Sequence, residues 1–156
     1  MSGTASLTNF ICEADLDNPG WMRWRLTDTD RFNEAVLGKQ TIRVEGPNTA
    51  RMRLIPRDPL HTNSGGRVHG AITLALIDVS LFSTLYLLRG IDAGRSVTLG
   101  LSTQFIGKGE ASRPLDAVVE LLRETGRLAF LRGLIVQDED IVASFEATVR
   151  KASPLP

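Results

Sequence analysis

The run His61-Thr62-Asn63-Ser64-Gly65-Gly66-Arg67-Val68-His69-Gly70-Ala71, followed by Asp78, gathers the groups in this chain best suited to chemistry. Gly65-Gly66 permits backbone dihedrals closed to other residues and lets another molecule come close. Gly70 falls in the first turn of a predicted helix, where N–H groups lack intrahelical partners and carry the positive end of the helix dipole. With no side chain there, a carbonyl oxygen or an anion can reach those N–H groups, which is the geometry of an oxyanion site. Asp78 stands in mid-helix among apolar neighbours. An ionised carboxylate in such a place is costly unless it is hydrogen-bonded or works as a base or nucleophile. A carboxylate satisfied by a nearby hydroxyl, or lying on a thin solvent stripe, is the alternative reading.

Spacing sharpens this. On one helix, Gly70 and Asp78 sit roughly 12 Å apart. A reacting carbonyl must lie about 3 Å from both its oxyanion donor and its base. One helix cannot offer both to the same carbonyl, but two antiparallel copies related by a two-fold can. If both residues act together, the site lies across a symmetric dimer interface.

The elements that must position these residues are legible in outline. Val68–Arg89 has no Gly or Pro after Gly70 and predicts a helix roughly 33 Å long. It is apolar nearly all round, which marks a buried helix, and Gly90 stands where a left-handed cap is expected. Before it, Thr41–Glu45 and Ala50–Pro56 flank Gly46-Pro47-Asn48 as a β-hairpin. After it come four strand-like runs, Ser96–Ile106, Leu115–Glu124, Leu128–Gln137 and Ile141–Arg150. The short linkers between them predict that consecutive strands pair antiparallel. The expected fold is α+β, a curved antiparallel sheet wrapped around one long central helix. Residues 1–37 are read as an N-terminal helical extension, split by the turn signal Asn18-Pro19-Gly20. One helix within Trp21–Leu37 would pack Trp21, Trp24 and Phe32 onto a domain spanning 38–152. A sheet covers about half of such a helix, so its remaining apolar surface calls for the extension or a second subunit.

Composition narrows the function classes. The 156 residues carry 18 basic and 18 acidic side chains, a formal net charge of zero, which points neither to nucleic acid nor to an anionic membrane. Cys12 is the sole cysteine, so no intrachain disulfide forms, in keeping with a reducing cytoplasm. Cys12, His61 and His69 make a poor zinc set, and no metal site is expected. No signal peptide is read at the N-terminus. Val68–Leu88 is too interrupted by Thr73, Asp78, Ser80, Ser83 and Thr84 to read as a simple membrane span.

Asn63-x-x-Gly66-x-Val68-His69-Gly70 followed by Asp78 resembles the signature of hotdog-fold acyl-CoA thioesterases of the phenylacetate-degradation (PaaI-like) type, over about Arg51–Val149. The resemblance implies a homodimer, often a dimer of dimers, that hydrolyses an acyl-coenzyme A without metal or cofactor, coenzyme A being part of the substrate. It assigns Asp78 as base or nucleophile, the Gly70 amide as oxyanion donor, and Asn63 as the side chain that places water or substrate. Thr98 matches a water-orienting hydroxyl, its alternative being a strand threonine facing solvent. His61, Gly66, Arg67, Val68, His69, Ala71 and Phe82 are candidates for substrate contact, although an exposed loop position suits His61 and a loop-orienting role suits His69. Arg67, Arg95, Lys108 and Arg113 are candidates for the coenzyme A phosphates. Phe82, Leu85 and Tyr86 would line the acyl pocket or simply pack the core. The chain departs from the family's usual His-Gly-Gly at Ala71, whose methyl could narrow the carbonyl site. A non-catalytic module binding acyl-CoA or an acyl carrier remains the alternative. A dehydratase would need a histidine–carboxylate pair not evident here, and a pure dimerisation domain leaves the Asn63–Gly70 loop unexplained.

Overall fold

A computed structural model of the chain describes residues 9–152. Eight strands and one long helix follow in the order β1 (Phe10–Ala14), β2 (Met22–Leu26), β3 (Gln40–Gly46), β4 (Thr49–Leu54), α1 (Gly70–Arg89), β5 (Val97–Phe105), β6 (Leu115–Glu124), β7 (Leu128–Gln137) and β8 (Asp140–Arg150). They form a single antiparallel sheet ordered β1-β2-β3-β4-β6-β7-β8-β5. The helix packs along one face of the sheet, where Leu76, Ile77 and Leu81 meet Met52, Val119 and Leu131 in the core. This is the hotdog arrangement expected from the sequence.

The helix is held at both ends. His69 caps its N-terminus, its Nδ1 accepting from the Ala71 N–H at 3.0 Å. Gly90 closes the other end in the left-handed conformation, φ 65°. By length and composition α1 could cross a membrane. Its apolar residues are instead spent on the sheet, with Leu76, Ile77 and Leu81 fully buried.

Two expectations are corrected. Residues 21–37 do not form a helix: Met22–Leu26 is a strand, and only Asn33–Leu37 makes a short helical turn. In Met22-Arg23-Trp24-Arg25-Leu26 apolar and basic residues alternate with period two, which outweighs the local helical signals. This strand pairs with β1 on one side and β3 on the other, so the N-terminal segment extends the domain's own sheet. The Asn18-Pro19-Gly20 turn joins β1 to β2, with Trp21 N–H donating to Asn18 O at 3.1 Å. Trp24 is fully buried, the Arg43 and Arg53 guanidinium groups lie over the Trp21 ring, and Phe32 is 53% exposed.

The second correction concerns strand pairing. β5 pairs with β8, and β6 pairs with β4 and β7. The connection from β5 is longer than Gly107-Lys108-Gly109 suggests. Residues 106–114 run across the strand ends, where Ile106 and Gly107 N–H donate to Val142 O and the Gln137 amide bonds Glu110 and Arg113. The chain thus bypasses two strands before β6 begins, and β5 is left as a sheet edge. Val97, Leu99 and Phe105 on it are 39%, 57% and 52% exposed, an apolar edge of the kind that invites pairing with another strand.

Candidate active site

The loop before α1 is tied down by its own polar groups. Asn63 Oδ1 accepts from Gly65 N–H at 2.9 Å and from Arg67 N–H at 3.1 Å. Gly66 N–H donates to Asn63 O at 2.9 Å, with Gly66 at φ +71°, a left-handed conformation that favours glycine. Since its side-chain oxygen is engaged, Asn63 has its exposed Nδ2 to offer as a donor.

His61 is fully buried, not exposed. Its Nδ1 accepts from Arg57 N–H at 3.0 Å and its Nε2 lies 2.6 Å from Val36 O. A carbonyl accepts only, so Nε2 carries the proton and the ring bridges the loop to the N-terminal segment. Val68 is buried too, its N–H donating to Gly109 O at 2.9 Å. Both residues are buried and anchor the loop from beneath.

His69 and Ala71 are exposed and joined by the cap hydrogen bond. That bond occupies the Ala71 N–H, while the Gly70 N–H has no partner among the described residues. A Cβ at Gly70 would lie 3.4 Å from the Phe105 ring, so the amide sits close under the β5 edge.

Asp78 is half-buried, and Thr98 Oγ1 donates to its Oδ1 at 2.7 Å. The solvent-facing alternative for Thr98 is therefore set aside. Asp78 opens into a cleft of about 740 Å³ shared with Val79 and Phe82 of the helix, Ala93, Gly94 and Ser96 after it, and Asn9, Phe10, Leu26–Asp28 and Arg31–Asn33 of the N-terminal segment. Leu85 and Tyr86 do not line it: Leu85 is buried in the core and Tyr86 packs 5.3 Å from the Trp24 ring. Sequence reading missed Asn9, Phe10, Leu26–Asp28 and Arg31–Asn33 as cleft residues. The period-two pattern of β2 was the available signal, since it places this segment against the sheet. A second concavity of about 660 Å³, on the sheet's outer face, is lined by Glu120 and Arg132, paired at 2.7 Å, and lies apart from both Asp78 and Gly70.

Of the cations considered for coenzyme A phosphates, Arg67 pairs with Glu110, and Arg113 with Asp138 and Asp140. Lys108 is exposed on the 106–114 connection, with no ion pair among the described residues. Arg95 follows Ala93 and Gly94 at the cleft edge.

A helix wrapped by an antiparallel sheet, an uncapped amide at its N-terminus and a hydroxyl-bonded carboxylate two turns on define a hotdog thioesterase-type domain. The family model of the acyl-CoA thioesterase N-terminal domain matches residues 58–151, and the chain belongs to that family. The PaaI-like type fits the solved structures similar to it. A mutant form of the phenylacetic acid degradation protein PaaI from Thermus thermophilus is 24% identical, with a TM-score of 0.62 over 76% of this chain and 96% of that one. Another protein from the same organism is 25% identical, with a TM-score of 0.60 over 76% and 95%. Thioesterase superfamily member 2 from Mus musculus is 18% identical, with a TM-score of 0.64 over 79% and 90%. Among curated proteins, none matches the chain by sequence.

Proposed function

We propose that this protein is an acyl-CoA thioesterase that hydrolyses its substrate to a free acid and coenzyme A at a site shared by two chains. The Asp78–Thr98 pair beside an open cleft is the observation that carries this reading. Asp78 takes a proton from water, which attacks the thioester carbonyl, or attacks that carbonyl directly. The Thr98 hydroxyl gives its proton to Asp78 Oδ1, so its lone pairs remain to accept from the water and hold it in line. Charge developing on the carbonyl oxygen is received by the Gly70 N–H of a second copy, and Asn63 Nδ2 helps place water or substrate. The thiolate leaves readily, so carboxylate, oxyanion donor and water suffice without a cofactor. Lys108, exposed on the 106–114 connection, is the proposed partner of the coenzyme A phosphates.

The dimer is supported by the apolar edge of β5, which carries both half-sites: Thr98 bonds Asp78 and Phe105 lies against Gly70. Antiparallel pairing of two β5 strands places the Thr98 end of one beside the Phe105 end of the other, as a shared site requires. We propose a further association into a dimer of dimers, on the family resemblance, and a cytoplasmic location, on the free Cys12.

Thiol release from a panel of short, medium, long and aromatic acyl-CoAs tests the reading. The unmutated protein turns over at least one, and Asp78→Asn lowers that rate at least a hundredfold while leaving the oligomer intact. Turnover unchanged in Asp78→Asn removes the assigned role. Binding without turnover by the unmutated protein points instead to a non-catalytic acyl-CoA module. Mixed with Gly70→Val chains, Asp78→Asn chains regain about a quarter of the activity, since half the dimers are mixed and each has one intact site. No recovery means that each chain is self-sufficient.

A further inference from the structure

The wall of the Asp78 cleft opposite the helix comes from Asn9, Phe10, Leu26–Asp28 and Arg31–Asn33, which lie outside the family-matched residues 58–151. That wall is anchored. Thr27 N–H donates to Asn9 O at 2.9 Å, Leu26 N–H to Glu34 Oε1 at 2.8 Å, and the Gln40 side-chain amide to Asn33 O at 2.7 Å. On this pinned turn Phe32 is 53% exposed. Phe10 stacks on Trp24 at 4.9 Å, backed in turn by Tyr86. Phe82 faces them from one helical turn beyond Asp78, on the same side of α1. Three phenylalanines thus share a cleft whose size falls among those that hold small molecules, roughly 300–1,000 Å³.

The charges of the cleft say which part of a substrate enters it. Asp28, Arg31 and Asp78 are its charged lining residues, and Arg31 is paired with Asp28 at 2.9 Å. A lining with an excess of carboxylate repels phosphates and favours an uncharged apolar group.

We infer that Phe10 and Phe32, supplied by the N-terminal segment, form the wall that holds the acyl group, and that this wall selects an uncharged, apolar acyl chain over a short or carboxylate-bearing one. This rests on the thioesterase reading for its turnover readout, but binding tests it separately. S-octyl-coenzyme A and S-methyl-coenzyme A, thioethers that cannot be hydrolysed, are titrated calorimetrically into the unmutated protein and into Phe32→Ala. The octyl compound binds at least tenfold tighter to the unmutated protein, and Phe32→Ala erases most of that difference. Phe32→Trp, which narrows the cleft and spares the fold, shifts preference towards the methyl compound. In turnover, butyryl-CoA exceeds succinyl-CoA by about tenfold or more.

Equal affinity for the two thioethers, or an unchanged ratio in both Phe32 variants, overturns the wall. Succinyl-CoA turned over as well as butyryl-CoA overturns the charge selection. Tight, Phe32-dependent octyl binding with no turnover of any acyl-CoA sinks the thioesterase reading and leaves the wall standing. Normal turnover with no Phe32 dependence does the reverse.

Discussion

One oxygen of Asp78 is engaged by Thr98, and that single bond distinguishes a positioned carboxylate from one lying loose on a helix surface. In the proposed reaction Thr98 both orients Asp78 and accepts from the attacking water. Thr98→Val, which keeps the branched shape but removes the hydroxyl, lowers kcat about tenfold, the value of one hydrogen bond of ~1.4 kcal/mol. KM changes less, and Thr98→Ser recovers most of the rate; steady-state kinetics on the best acyl-CoA separate these. The sequence singled out Asp78 because a lone carboxylate in an apolar run is anomalous. It could not weigh Thr98, because that contact spans 20 residues and depends on how β5 returns beside the helix. His61 shows the opposite failure. A histidine in a Pro- and Gly-rich loop reads as exposed, yet its two ring nitrogens find Arg57 and Val36 backbone groups that no local pattern announces.

At the scale of elements, the helix start and the β1–β2 hairpin carry most of the testable physics. His69 is the N-cap and its ring nitrogen holds the Ala71 N–H, so His69→Ala destabilises the fold by about 0.5–2 kcal/mol. Urea denaturation monitored by circular dichroism measures this, and His69→Asn, which can also cap, restores much of the loss. In the hairpin, Asp15 is buried and bonded by Asn18 and Lys39. The Asn18 side-chain hydrogen bond first, and Lys39 with it, hold the Asp15 carboxyl below its ordinary value of 3.8. A carboxyl lowered in the folded state adds stability above its unfolded pKa and loses it as pH falls through the folded one. The stability lost in Asp15→Asn is therefore greatest near neutral pH and shrinks below about pH 4, which denaturation curves over an acidic pH series reveal.

For the whole molecule, the proposed dimer turns on β5, a sheet edge whose Thr98 bonds Asp78 and whose Phe105 lies near Gly70. A two-fold perpendicular to an antiparallel pair must pass between a residue and its own copy, since opposed residues share one face. The midpoint between Thr98 and Phe105 puts that axis at Leu101 or Ser102. Whichever of Leu101 and Ser102 lies at that axis opposes its own copy, so either Leu101→Cys or Ser102→Cys forms a disulfide-linked dimer under mild oxidation, because opposed antiparallel residues lie about 4.5–5.5 Å apart, within disulfide reach. Cysteine in place of Glu139, in the turn between β7 and β8, does not. Non-reducing electrophoresis decides it; monomers from both Leu101→Cys and Ser102→Cys under oxidation argue against β5 pairing.

The sequence by itself determined the local elements and the chemistry-bearing residues. Periodicity marked α1 and the strands from β3 to β8, Gly90 marked the end of the helix, and the Asn63–Gly70 run with Asp78 marked the candidate site. These signals are local, because capping, alternation and turn formation depend on neighbours within a few residues. Only the tertiary structure decided that Met22–Leu26 joins the sheet, that β5 lies beside β8, that His61 is buried and that Thr98 reaches Asp78. Each of these depends on which distant segments share a core, and how the helix is covered is settled by the whole chain at once. The N-terminal phenylalanines became part of the Asp78 cleft for the same reason: nothing in their own stretch of sequence says what they face.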